Sequence, residues 1–165
     1  MIRRDESGRI VDMAEIRRRV FGRDTVFSQR VVLTALIKGG HDVQGKILAR
    51  LGPEDWTFFW FRLVFDAAVE MLRSKGRVDT DGLYESMRAH VYRNWPSSLD
   101  PQRDAAEYSA EEVMPGYTGI IDHLLELEMP DEDLLDVAIA QVQQASARMR
   151  AFRRDQATKL GEELE

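Results

Sequence analysis

The 165-residue chain is expected to be all-α: a compact orthogonal helical bundle ending in one long C-terminal helix, the single arm of a helical hairpin. Three observations predict it. Apolar residues recur at helical spacing through most of the chain, and no stretch keeps the alternation of a half-buried strand. Gly and Pro fall between the periodic stretches, at Gly39-Gly40, Gly52-Pro53, Gly76 and Pro130, where helices stop and start. The chain is 44% hydrophobic, enough for a core, and 32% charged, enough to keep its surface in water.

The elements follow in order. "DMAEIRRRVFG" (12–22) reads as a short helix ending at Gly22. Asp24-Thr25 can cap the next, "TVFSQRVVLTALIKGG", whose Val26, Val31, Val32, Leu33, Leu36 and Ile37 fall near 3.6 spacing before the Gly pair ends it. A third helix spans about Asp42 to Leu51, with Val43, Ile47, Leu48 and Leu51 on one face. The fourth is expected from about Glu54 to Lys75, with Pro53 and two acids at its start and Gly76 as its C-cap. Asp79 then caps "TDGLYESMRAHVYRN". Residues 93–115 hold three of the five prolines and read as an inserted connection with one short helix around 104–112. "GIIDHLLELEM" makes another short helix, and Pro130-Asp131 opens the last. Its apolar positions Leu134, Leu135, Ala138, Ile139, Val142, Ala145, Met149 and Phe152 continue for about five turns. The organisation is thus a basic segment 1–24, a bundle 25–129 and a long helix 130–165.

The aromatic stretch "EDWTFFWFRLVF" (54–65) raises the functional question, since six of its last ten residues are aromatic. On a helix, Trp56, Phe59, Trp60, Leu63 and Val64 share one face, and Phe58, Phe61, Phe65, Val69 and Leu72 share a second that merges with it. So wide an arc predicts a central helix packed on two sides. Either the core covers both faces, or another protein covers one, because Trp and Phe are enriched at binding hot spots.

Charge and composition exclude several classes. The chain has no Cys, which rules out disulfides and thiolate chemistry and fits a cytoplasmic protein. No apolar run approaches the ~20 residues needed to span a bilayer, and "MIRRDESGRI" has no apolar stretch behind its charges to act as a secretory signal. The net charge of −6 hides a polarity. Residues 1–50 carry eleven Lys and Arg against six Asp and Glu, while residues 79–136 carry three against fifteen. The overall balance counts against a nucleic-acid-coating protein, and the polarity suits complementary contacts between proteins, although ordinary solvated surface explains it as well.

Motifs for catalysis are missing. "GHDVQGKI" (40–47) matches the G-x-x-x-x-G-K part of a phosphate-binding loop, but ends in Ile47 where Mg²⁺ needs Ser or Thr, and follows a helix rather than a strand. His41, His90 and His123 lie far apart without i, i+4 partners, so no metal site is expected. "EMPDEDLLD" lacks calcium-loop spacing and reads as acid at a helix N-terminus. No Ser sits in a nucleophile elbow. Neither a catalytic site nor a cofactor is expected. DNA binding remains as a rival through the basic residues Arg17, Arg18, Arg19 and Arg23, but the second helix of any helix–turn–helix drawn there is too apolar for a major groove.

At "FSQRVVLTALI" (27–37) and "LGPEDWTFFWFRLVFDAAVEMLRSKGRVDTDGLYESM" (51–87) the chain resembles the N-terminal domain of DnaB-type replicative helicases. Gln29, Val32, Leu33, Leu36 and Ile37 match that family's first segment. Glu54, Asp55 and Trp56 match its acid-acid-Phe, Val64-Phe65 its Ile-Phe, and Gly76, Val78, Asp79 and Leu83 its closing turn and helix. The likeness is good over 26–90 and loose over 117–155. Ser28 stands where the family has an acid, and Trp60 and Phe61 replace its Pro-x-His. The family closes with a helical hairpin that pairs copies into a ring collar; here one arm, about 131–163, is visible. With no complete Walker loop and little length beyond the matched segments, no motor domain is expected in these 165 residues. The helicase-binding C-terminal domain of DnaG-type primases shares the fold, and "IIDHLLELEMPDEDLLDVAIAQVQQASARMRAFRR" (120–154) resembles it at least as much, while "GRVDTDGL" (76–83) favours the helicase side.

Both resemblances imply non-catalytic docking in DNA replication, with a replicative helicase, a primase or a second copy as partner. The residues expected to bind are Trp56, Phe59 and Trp60 on the aromatic helix and Ile139, Val142, Met149 and Phe152 on the last.

Overall fold

The computed structural model describes residues 24–94 and 119–164. The expected helix 12–22 and the basic Arg17, Arg18, Arg19 and Arg23 lie outside the described residues, as does the connection from residue 95 to 118 with its expected short helix. Among the described residues the fold is all-α, a compact bundle with a long C-terminal helix. Helix α1 spans Thr25–Lys38, α2 His41–Arg50, α3 Phe59–Lys75, α4 Thr80–Asn94, α5 residues 119–126 and α6 Glu132–Leu164, with a 3-10 turn at Pro53–Asp55.

Helix ends follow the polar and glycine punctuation. The Asp24 carboxylate accepts from Phe27 N at 3.1 Å and starts α1. Asp131 does the same for α6, accepting from Leu134 N at 2.9 Å. Helix α3 stops at Gly76, whose φ of 73° lies in the left-handed region that glycine enters without strain. The Gly76 carbonyl then meets His41 Nε2 at 2.8 Å, which ties the end of α3 to the start of α2.

The most enclosed helix is α1, which packs on α6, α3 and α2. Ten of its fourteen residues are buried, Phe27, Val32, Leu33 and Leu36 at 2% exposure or less. This corrects the expectation that the aromatic helix is central. "VVLTALI" is apolar nearly all round, the pattern of a helix covered on every side. Helix α3 covers α1 from one flank and α4 from another, burying Phe61, Leu63, Val64, Phe65, Ala67, Ala68 and Met71.

The buried Ser28, Gln29 and Thr34 of α1, and the exposed Lys38 at its end, each reach a different neighbour. Ser28 Oγ bonds the Gln141 side chain on α6. Gln29 Nε2 donates to Thr57 Oγ1 at 2.6 Å. Thr34 Oγ1 lies 2.9 Å from the Leu124 carbonyl of α5. Lys38 Nζ donates to the Leu127 carbonyl at 2.7 Å; its pKa is lowered by burial, with Glu128 pulling the other way. A one-turn slip of α1 would orphan these groups, at about 1–3 kcal/mol for each buried one, so they fix its register.

Helix α6 has two halves. Leu134, Leu135, Ala138, Ile139 and Val142 are at most 3% exposed. At about 1.5–3 kcal/mol for each large side chain buried, this half anchors the bundle. From Ala147 to Gly161 every residue is exposed.

Candidate docking surface

The start of α3 is built by a carboxylate. Asp55 is 7% exposed. Its Oδ2 accepts from Gly52 N at 2.8 Å and its Oδ1 from Ser146 Oγ at 2.7 Å. The Arg150 guanidinium lies farther off, at 4.0 Å. Turning back on Gly52 tightens Pro53–Asp55 into a 3-10 turn, and α3 begins only at Phe59. The aromatic helix is therefore shorter than the expected Glu54 to Lys75.

That late start re-sorts the aromatic rings. Trp56 precedes the helix and points inward, 6% exposed, its ring centroid 5.1 Å from that of Phe65. Phe58 and Phe59 emerge on the surface at 42% and 41% exposure. Phe58 leans on Phe61, centroids 5.5 Å apart, and Phe59 meets Trp60 edge-on at 6.0 Å. Trp60 is half-buried against the core. Phe58 occupies the N-cap position of α3, where it offers no side-chain oxygen to the first-turn N–H groups.

The residues expected to bind thus divide. Trp56, Ile139 and Val142 are core, and their assignment to a binding face is corrected: the first lies under Phe65, and the other two lie where α6 is packed into the bundle. Phe59, Met149 and Phe152 are exposed, at 41%, 39% and 59%. Phe58 and Leu160, the latter 58% exposed, were not singled out. Thr57 was the missed signal for Phe58, because a Thr inside an expected first turn competes with helix as a cap or turn former. For Leu160, extending the apolar stripe past Phe152 finds it.

A third feature is an open groove of about 800 Å³ between the end of α2 and the outer face of α3, lined by Leu48, Leu51, Phe65 and Val69, with Asp66 and Glu70 on its wall. Burial raises the pKa of Asp66, while Arg62 and His90 pull it down. Among the described residues no cluster of three or more His, Asp and Glu is placed to hold a metal ion, and no helix is long and apolar enough to cross a membrane. What the described surface offers is exposed aromatic and aliphatic area near charge, which suits binding.

No protein-family model, curated protein or solved structure matches the chain.

Proposed function

We propose that the chain is a non-catalytic docking domain of the DNA-replication machinery, of the type at the N-terminus of DnaB-like helicases, and that it binds a replicative helicase through Phe58, Phe59 and the half-buried Trp60. The carrying observation is the adjacent pair Phe58 and Phe59, each more than 40% exposed on a domain that buries Trp56, Phe61 and Phe65 close by. Exposed rings carried at a helix start lose little conformational freedom on binding, which is what makes aromatic residues hot spots. The replication context is supported by the resemblance at residues 26–90, and the all-α bundle accords with it.

Helicase partners would recognise an apolar patch with charge on its rim, here Glu54, Arg62 and Asp66. The test is the light-scattering mass of the chain, alone and mixed with the replicative helicase of the same organism. Wild type is expected to co-elute with helicase. Phe58→Ala and Phe59→Ala are expected to lose the complex while keeping their unfolding midpoints. Trp60→Ala reads less cleanly, because Trp60 also packs on the core. A wild-type chain that ignores helicase at every concentration, or Phe58→Ala and Phe59→Ala chains that bind as wild type does, would overturn the reading.

A further inference from the structure

We infer that the groove between α2 and α3 seats an amphipathic helix of another protein, one whose apolar side chains are flanked by Lys or Arg. The inference does not depend on the helicase reading, because the occupant is defined by the chemistry of the groove alone.

The groove has an apolar floor and two apolar sides. Leu51 and Phe65, 4% and 3% exposed, form the floor. Leu48 stands on the last turn of α2 with 37% of its surface bare, and faces Val69 and Leu72 across the groove, both half-buried on α3. The space of about 800 Å³ between them has room for more than one large side chain. Two helices side by side present ridges with a furrow between, and a third helix packs into such a furrow. The length agrees. On α3 the lining runs from Phe65 to Arg73, about 12 Å at 1.5 Å per residue. Helix anchors at i, i+3, i+4 and i+7 span about 10.5 Å.

Charge identifies the flanks of the occupant. Asp66 and Glu70 stand on the wall one turn apart, and the Glu54 side chain lies against Gly52 at the rim. Among the described lining residues Arg73 is the one base. Carboxylates four residues apart on one helix repel each other, and a cation laid along them relieves both. Asp66 has most to gain. Its nearest base, Arg62, is 3.9 Å away, and burial pushes its pKa up despite the pull of Arg62 and His90, so its charge is incompletely compensated. An apolar floor under an acidic wall favours a basic amphipathic helix and disfavours an acidic one, in which every flanking charge would meet its like.

The probe is a synthetic peptide of about 18 residues, long enough to hold a helix. It carries Leu at i, i+3, i+4 and i+7, Arg on both flanks and Ala elsewhere; its counterpart has Glu in place of every Arg. Fluorescence anisotropy of each labelled peptide is read against the 165-residue chain. The Arg peptide is expected to bind with a Kd of about 10–100 µM, and the Glu peptide about tenfold more weakly or worse. Glu70→Lys and Leu48→Ala, both at exposed positions, are expected to weaken the Arg peptide about tenfold while the chain stays folded. Asp155→Lys makes the same charge change as Glu70→Lys on the exposed half of α6, and is expected to leave binding as it was. Equal binding of the two peptides overturns the inference, as does an Arg peptide that fails to bind at about 1 mM. A loss from Asp155→Lys as large as from Glu70→Lys also overturns it, since attraction to the net charge of −6 would then explain the binding. So does a dimer in sedimentation that Leu48→Ala dissolves, which would give the groove to a second copy.

Discussion

Asp55→Ala should cost about 3 kcal/mol of folding stability, through polar contacts. Its carboxylate holds two short bonds in a nearly closed site, from Gly52 N at 2.8 Å and Ser146 Oγ at 2.7 Å. Hydrogen bonds to an ionised group contribute about 1.5–3 kcal/mol each. On removal, Gly52 N–H can turn to water, because Gly52 is only half-buried. Ser146 cannot; at 2% exposure its hydroxyl is left unpartnered. The Arg150 contact adds little, its side chain being 55% exposed and 4.0 Å away. With a urea slope of about 1–3 kcal/mol/M, the loss moves the unfolding midpoint by roughly 1.5 M.

Controls sharpen the reasoning. Asp55→Asn keeps an acceptor for one of the two donors and should lose about half as much. Glu54→Ala, at an exposed position, should stay within about 0.5 kcal/mol of wild type. In a double-substitution cycle, Asp55 and Ser146 should couple by about 1 kcal/mol or more. If Asp55→Ala costs under 1 kcal/mol, or the coupling is nil, the carboxylate does not hold the turn to α6, and the late start of α3 needs another cause.

Three further outcomes follow from the packing. Ile139→Ala, at a fully buried site, should cost about 2–5 kcal/mol in the same urea assay, while Phe152→Ala, thirteen residues on along the same helix, should cost under about 0.5. Gly76→Ala should cost about 1 kcal/mol, all of it from backbone, because an added Cβ there meets nothing within 4 Å but φ is 73°. Tyr84 donates to Asp122 on α5, and burial together with that carboxylate pushes its pKa up to about 12. The folded state therefore keeps its proton where the unfolded state loses it, so this contribution is complete below pH 10 and disappears as pH rises from 10 to 12. Discounted for its partial exposure, it is about 1 kcal/mol, and Tyr84→Phe should flatten that part of a stability–pH profile by as much.

Helix order was legible because its signals are local. Asp24, Asp131 and Gly76 act within a few residues of themselves, and each caps as its position in the sequence predicts. The start of α3 was only partly legible, because one of the two groups that hold Asp55, Ser146, is 91 residues away. Pro-Glu-Asp reads locally as a helix start; Asp55 instead turns back on Gly52 and is braced there by Ser146, which leaves Phe58 and Phe59 outside. The division of α6 failed for a related reason. Periodicity placed Ile139, Val142, Met149 and Phe152 on one apolar face, but where the cover ends depends on how far α1 and the Pro53–Asp55 turn reach along α6. Enclosure of α1 had a signal of its own in the near-continuous "VVLTALI", outweighed by the size of the aromatic side chains in "WTFFWF".

Most residues on which the proposed likeness to helicase and primase domains rests are inside. Gln29, Val32, Leu33, Leu36, Ile37, Asp55, Trp56, Val64, Phe65 and Leu83 are all buried, and Gly76 is a turn. Such positions are selected by packing, so any chain folding this way has reason to keep them, whatever it binds. Any partner would meet the exposed positions: Phe58 and Phe59 at one end of α3, and Met149, Phe152 and Leu160 along α6. Both surfaces are positioned by the same buried carboxylate, since Asp55 sets where α3 begins and grips Ser146 at the root of the arm. The surface variants and the Asp55 variants therefore separate two causes of lost binding. Phe59→Ala removes contact area from a folded domain and should weaken only the proposed helicase contact. Asp55→Ala loosens the frame under both surfaces and should weaken the proposed helicase contact alongside the fall in unfolding midpoint.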